Sequence, residues 1–499
     1  MTKLTKNIFP YIILMLIGCS PTPHDVVHSG AQPQIYPDYI GVEIPTNIAP
    51  LNFCMADRQT EWIDVTIKGS MGGAIHSDGQ HTSFDINEWH ELLEQNRDGK
   101  LIVTVLALKN DKWTQYSTFD IYVAPNEIRE KAITYRLVAP GYEIYGKMGI
   151  YQRELSTFEE TPIIENTAVP STCINCHVTN EGDPSYSVMH ARGAHGATLI
   201  HDNGKAESLV AKNAELGCSM VYPYWHPTGK YCAFSTNDTQ QMFHSTAEKI
   251  IEVFDTKSDI ILYNPLSHTI TPLLNDTTVA ENTPVFSHDG KRLYYITAPI
   301  VNMPEEYTEI KYSLCAVDFN AETGQITSKP DTLIDARETG KSVTWPRPSA
   351  DGRYIMYTTI DYGYFSIWHP EADLYLLDLK TGEKKSLAKA NSERAESYHV
   401  WSADSQWFLF TSRRDDDLYS RIYLARIDDE GNVSKPFLLP QENPYDDNIM
   451  RLFSYNTPDF IDHYIETSAN EIADKLNDTK RIKTIYNIST MKDNPSHKQ

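Results

Sequence analysis

The chain reads as all-β: a six-bladed β-propeller, with seven as the alternative blade count, preceded by an immunoglobulin-like β-sandwich and followed by one helix. Three observations predict this. An aromatic residue or threonine before proline, then a Ser/His and Asp-Gly turn, then a strand, recurs at Tyr222-Pro223, Thr283-Pro284, Trp345-Pro346 and Tyr398-His399. Successive copies lie roughly 50 to 60 residues apart, the length of one four-stranded sheet with its loops. Hairpins of apolar strand, acidic or glycine turn and strand fall at 149–164, 197–210, 261–274, 314–334, 374–387 and 422–439, one outer hairpin for each of six blades. Upstream, strand-like runs at 62–68, 101–109 and 113–123 with one helix-like stretch at 87–95 suggest a sandwich over 38–128.

The elements follow in order. Lys3 and Lys6 precede a short apolar run, and Leu16-Ile17-Gly18-Cys19 resembles the lipobox of bacterial lipoprotein signals. Residues 1–18 are therefore expected to be removed as a signal peptide and Cys19 lipidated, because the run is too short to span a bilayer comfortably. Residues 19–37, rich in Pro, His and Ser, read as a tether. The propeller is expected over 129–457. Thr457-Pro458 offers an N-cap and a proline at the first helical position, followed by an apolar stripe through Phe460, Ile461, Tyr464, Ile465, Ala469, Ile472 and Leu476, which predicts a helix over 458–476. Residues 477–499 read as a flexible tail.

The 499 residues include 30 Tyr, 8 Trp and 16 Phe, enough for packed cores in more than one domain. The formal charge of −23 argues against nucleic acid or anionic lipid as a partner and permits a basic one. No GxSxG, HExxH or phosphate-binding loop is present, so hydrolase or transferase chemistry has no support.

Chemistry is carried by Cys173-Ile174-Asn175-Cys176-His177, the CxxCH sequence of c-type haem attachment, in a chain with an export signal. If the segment turns helically, Cys173, Cys176 and His177 fall at i, i+3 and i+4 on one face. Two thioethers to the vinyl groups of one covalent haem c, with His177 as proximal iron ligand, follow. A zinc knuckle would need a second ligand pair, a redox CxxC belongs at a helix start, and a plain disulfide leaves the adjacent histidine unexplained. The motif falls where the inner strands of the second blade would run, so a haem-binding insert is expected at about 167–196. Met189 is the first candidate for the sixth ligand, His190 the alternative, with His195, His226, His244 or no ligand also open; Arg192 is a candidate partner for a haem propionate. Cys218 and Cys232 flank a turn and strand and are a candidate disulfide, with free thiols the alternative. His226, His288 and His399 stand at repeat positions, which favours turn or packing roles. Asp415-Asp416-Asp417 lacks an EF-type ligand series and reads as a solvated turn.

The repeats resemble the TolB-type propeller repeat over roughly residues 130 to 457. Lipobox, β-rich N-terminal domain, Ile133-Thr134-Tyr135-Arg136 segment, CxxCH and blades together are similar to Bacteroidetes lipoproteins of TolB-like, cytochrome-related type. The resemblance implies a periplasmic propeller with one covalent haem and no settled activity. The expected function is that of a membrane-anchored, periplasmic mono-haem electron carrier serving an envelope redox partner or complex, tethered on the periplasmic side of the outer membrane. The alternative is a TolB-like interaction scaffold whose haem is structural or redox-sensing. A peroxidase-type activity would need a vacant distal position.

Overall fold

The computed structural model describes residues 20–139, 146–210, 219–245 and 248–487, apart from the side chain of Asn175. The lipobox with Cys19, and the expected tail beyond 487, lie outside the described residues. Among the described residues no helix is long and apolar enough to cross a membrane.

Six sheets form the propeller, antiparallel except where Ile485–Tyr486 adds in parallel to the outer edge of one. Their inner strands, in ring order, are Ser454–Ile461, Thr172–Asn180, Ser219–Trp225, Val279–Phe286, Ser342–Pro348 and Glu396–Trp401, for blades 1 to 6. Each touches the next, and the sixth touches the first, so the ring closes. Blade count is six, and all six outer hairpins expected from the sequence are present. Side chains from neighbouring sheets interdigitate to form the cores between blades.

The ring is closed by residues from opposite ends of the chain. Ser454–Ile461 pairs antiparallel with Ala132–Val138, Ala132 facing Ile461 and Leu137 facing Tyr455. This corrects the helix expected over 458–476. Thr457-Pro458 begins no helix; it is a further copy of the repeat's dipeptide, in the inner strand of blade 1. The helix is shorter, Ala469–Asn477, capped by the Ser468 hydroxyl accepting from the Glu471 N–H. Its Ile472, Ala473 and Leu476 pack on blades 1 and 2.

The repeat has a backbone cause. Tyr222, Thr283, Trp345, Tyr398 and Thr457 all have φ between 43 and 52°, and each opens a two-residue bulge at which the pairing register shifts. A bulged residue is left out of the ladder, so proline can follow without deleting a sheet hydrogen bond. In blade 2 the register shifts between Ile174 and His177, so Asn175-Cys176 is the bulge and Cys176 stands where proline stands in four other blades. The expected insert at 167–196 is therefore not an insert. Thr172–Asn180 and Asp183–Gly193 are the two inner strands of an ordinary blade.

The N-terminal unit differs from the expected two-sheet sandwich. Its strands join in one seven-stranded mixed sheet, with Trp62–Gly69 and Lys100–Lys109 central, beside a separate two-stranded pair. The helix Ile86–Gln95, capped by Asp85, buries Trp89, Leu92 and Leu93 in the same core. That core continues into blades 1 and 6 through Tyr135, Tyr455, Trp407 and Leu424. Arg426 to Glu43 (2.6 Å) and Lys435 to Asp38 (2.7 Å) pin the N-terminal unit to blade 6.

Candidate functional site

The inner strands enclose a central channel with a cavity of about 560 Å³, within the size range of small-molecule and cofactor sites. Bulge residues from all six blades border it. Trp345 meets Tyr222 edge-on at 5.5 Å and Tyr398 at 4.8 Å, giving one wall of the channel aromatic faces. One step further along each strand, His177, Tyr224, Arg347, Val400 and Asp459 border the cavity at equivalent positions of blades 2, 3, 5, 6 and 1.

Cys173, Cys176 and His177 all line this channel. They do so on a strand, not on the helical turn expected from their spacing. In a regular strand residues three apart face opposite ways; the extra bulge residue returns Cys176 to the side of Cys173. Cys173 pairs with Arg192 and the bulge lies across from His190, whereas His177 pairs with Met189 on the other face. The inner strand is a sheet edge, so both faces border the cavity. The Cys173 thiol accepts from Arg136 Nη2 at 3.5 Å.

Neither ring nitrogen of His177 has a hydrogen-bond partner, and both are shielded from solvent. Burial, with a smaller contribution from the Arg136 guanidinium, pushes its pKa down to about 3. The imidazole is thus neutral, the form that ligates a metal. Burial raises the Asp459 carboxyl to about 6, although the Thr179 N–H and hydroxyl donate to it at 3.0 and 2.8 Å.

The sixth-ligand candidates lie elsewhere. Met189 belongs to the apolar core between blades 1 and 2, with Ile174, Leu199 and Leu476. His190 is fully buried, its Nδ1 2.9 Å from the Thr198 hydroxyl, and burial lowers its pKa to about 3. Neither is among the residues that border the channel. Arg192 does border it, and its Nε is buried without a partner. Cys218 lies outside the described residues; Cys232 is buried, its thiol 3.7 Å from the Ala233 carbonyl.

Each repeat histidine has a hydrogen-bond partner within the propeller. His226 bonds the Gly290 carbonyl at 3.0 Å, His288 meets Glu181 at 2.7 Å, and His399 bonds the Met356 carbonyl at 2.9 Å. Asp416 pairs with Arg421 at 2.7 Å, and Asp415 accepts from Tyr423 at 2.9 Å. Among the described residues no group of three or more His, Cys, Asp or Glu side chains is arranged to hold a bare metal ion.

Sequence reasoning did not find Arg136, Arg347 or the aromatic wall. For Arg347 and the aromatic wall the signal was present in the repeat itself: the residue before each of the four prolines borders the channel, and the residue after it does so in three of the four.

No family model matches the chain, and no curated protein does. Among solved structures, an oligogalacturonate lyase from Vibrio parahaemolyticus is similar at 10% identity and a TM-score of 0.35, over 81% of this chain and 100% of that one. The β-propeller domain of the Trilobed protease from Pyrococcus furiosus is similar at 13% identity and a TM-score of 0.32, over 66% of this chain and 88% of that domain. A puromycin-hydrolyzing peptidase from Mycobacterium tuberculosis is similar at 13% identity and a TM-score of 0.36, over 62% of this chain; this chain spans 47% of that one. Likenesses this distant say nothing of chemistry, and none is carried over.

Proposed function

We propose that Cys173 and Cys176 attach one haem c covalently and that His177 is its proximal ligand, in a lipid-anchored periplasmic protein that exchanges electrons with an envelope partner. One observation carries the reading: two thiols and an imidazole without a hydrogen-bond partner border the same channel. Two buried ring nitrogens left unsatisfied cost stability, and such a group persists where something outside the polypeptide completes it. When bound, haem supplies a one-electron couple whose potential follows from its axial ligands and the polarity around it. His177 offers its lone pair because burial keeps it unprotonated. Tyr222, Trp345 and Tyr398 present aromatic surface against the group and restrict water. Neither Met189 nor His190 serves as sixth ligand in this reading.

The second reading, a TolB-like interaction scaffold, is favoured by the complete integration of CxxCH into an inner strand of blade 2. There the channel binds a ligand and the thiols hold nothing covalently. Visible spectra of protein made with haem-maturation machinery separate the two. Haem absorbance that survives denaturing, acidic extraction supports covalent attachment. A colourless product that is recovered in a stable envelope complex favours the scaffold.

A further inference from the structure

Arg136 and Arg192 both sit close to Cys173, one within 3.5 Å of its sulfur and the other across the strand pair from it. They therefore flank the edge of a macrocycle that thioethers would hold. In haem the two vinyl groups and the two propionates occupy opposite edges, so a group bonded at Cys173 and Cys176 directs its carboxylates away from blade 2. In a closed ring of six, the wall opposite blade 2 is blade 5.

Blade 5 presents one cation to the channel there. Arg347 occupies the strand position equivalent to His177, one step past the bulge. Its guanidinium lies 5.6 Å from the ring centres of both Tyr224 and Trp345, which hold it in place without neutralising it. Nη1 donates to the Pro346 carbonyl at 2.9 Å, and the residue borders the cavity. Among the described residues no carboxylate lies within ion-pairing distance of Arg347, although Asp459, held by Thr179, is near enough to act on it electrostatically. A guanidinium inside an acidic protein without a carboxylate of its own is incomplete as it stands.

The geometry points to Arg347, and not Arg192, as the anchor for the carboxylates of the porphyrin that the channel takes. This rests on the haem reading, and it adds the edge and the wall at which the macrocycle is oriented. The chemistry recognised is a carboxylate at the far end of a flat aromatic body; a free small anion in the same place is the other source.

The test uses full-length protein made without maturation machinery, carrying Cys173→Ala and Cys176→Ala so that binding stays reversible. Quenching of tryptophan fluorescence reports binding of mesoporphyrin and of its dimethyl ester, which differ only in the two carboxylates. The parent is expected to prefer the diacid. Arg347→Leu is expected to lose that preference, with diacid binding at least about tenfold weaker, equal to ~1.4 kcal/mol, and ester binding unchanged. Arg192→Leu is expected to keep the preference, and Arg347→Lys, which retains the charge without the fork, to fall between. An unchanged preference in Arg347→Leu, or its loss in Arg192→Leu instead, overturns the assignment while leaving the haem reading intact. A parent that binds both porphyrins equally, yet has diacid binding abolished by acetate, places a free anion at Arg347 and also overturns it. A parent that binds neither porphyrin overturns this inference, while the haem reading is decided separately by the intact mass of matured protein.

Discussion

His399 occupies the position that proline holds in four other blades, and replacing it with proline yields a signed, pH-dependent prediction. The preceding residue, Tyr398, has φ 51°, in line with the residues before Pro223, Pro284, Pro346 and Pro458, so the backbone already suits the substitution. Burial, reinforced by Arg347, lowers the His399 pKa from 6.5 to about 3. Its folded form is neutral, whereas the unfolded chain takes up a proton below 6.5. Stability from this group is thus complete above 6.5 and is lost as pH falls through the window from 6.5 to 3. At about pH 4.5 the loss is about 2–3 kcal/mol. His399→Pro removes that dependence. At about pH 7.5 it gives up the bond to the Met356 carbonyl, worth about 1 kcal/mol, and gains about 0.4–1 kcal/mol from a stiffer unfolded chain, for a net change near zero. Urea unfolding followed by tryptophan fluorescence should therefore show a variant equal to the parent near neutrality and about 2–3 kcal/mol more stable at about pH 4.5. His399→Gln, which keeps a polar side chain without a titrating ring, should show the same slope. A stability difference that stays constant between the two pH values would refute the claim that His399 is folded in its neutral form.

Two further outcomes follow. Tyr455→Ala in the closing strand removes a ring packed 5.0 Å from Tyr135 and an acceptor for Arg451, and should lower unfolding stability by about 3–5 kcal/mol, read as a shift in urea midpoint. Met189→Leu conserves volume in an apolar core and should cost less than about 1.5 kcal/mol while leaving the visible spectrum of haem-loaded protein unchanged; a spectral change typical of a lost axial ligand would return Met189 to the iron.

The propeller was legible because its repeats record a local backbone requirement, a bulge followed by an imino acid. The closing strand was misread for an equally local reason. Thr457-Pro458 followed by an apolar stripe satisfies the rules for a helix start, and only pairing with Ala132–Val138, more than 300 residues away, makes it a strand. CxxCH suffered the same ambiguity: its spacing fits a helical face, and the bulge at Asn175-Cys176 achieves a related grouping of the two cysteines on a strand. The residues across the channel, above all Arg347, come from other blades, and their approach depends on ring closure, which sequence spacing does not encode. In the N-terminal unit the strand runs and helix were readable, but their joining in one sheet depends on pairings such as Glu43 with Tyr122.

The measurement that bears most directly on the central claim is the intact mass of mature protein produced in a maturation-competent host, alongside Cys173→Ala with Cys176→Ala. The account predicts one added haem on the parent and none on the double variant. An unmodified parent mass under conditions that mature a control cytochrome would contradict it.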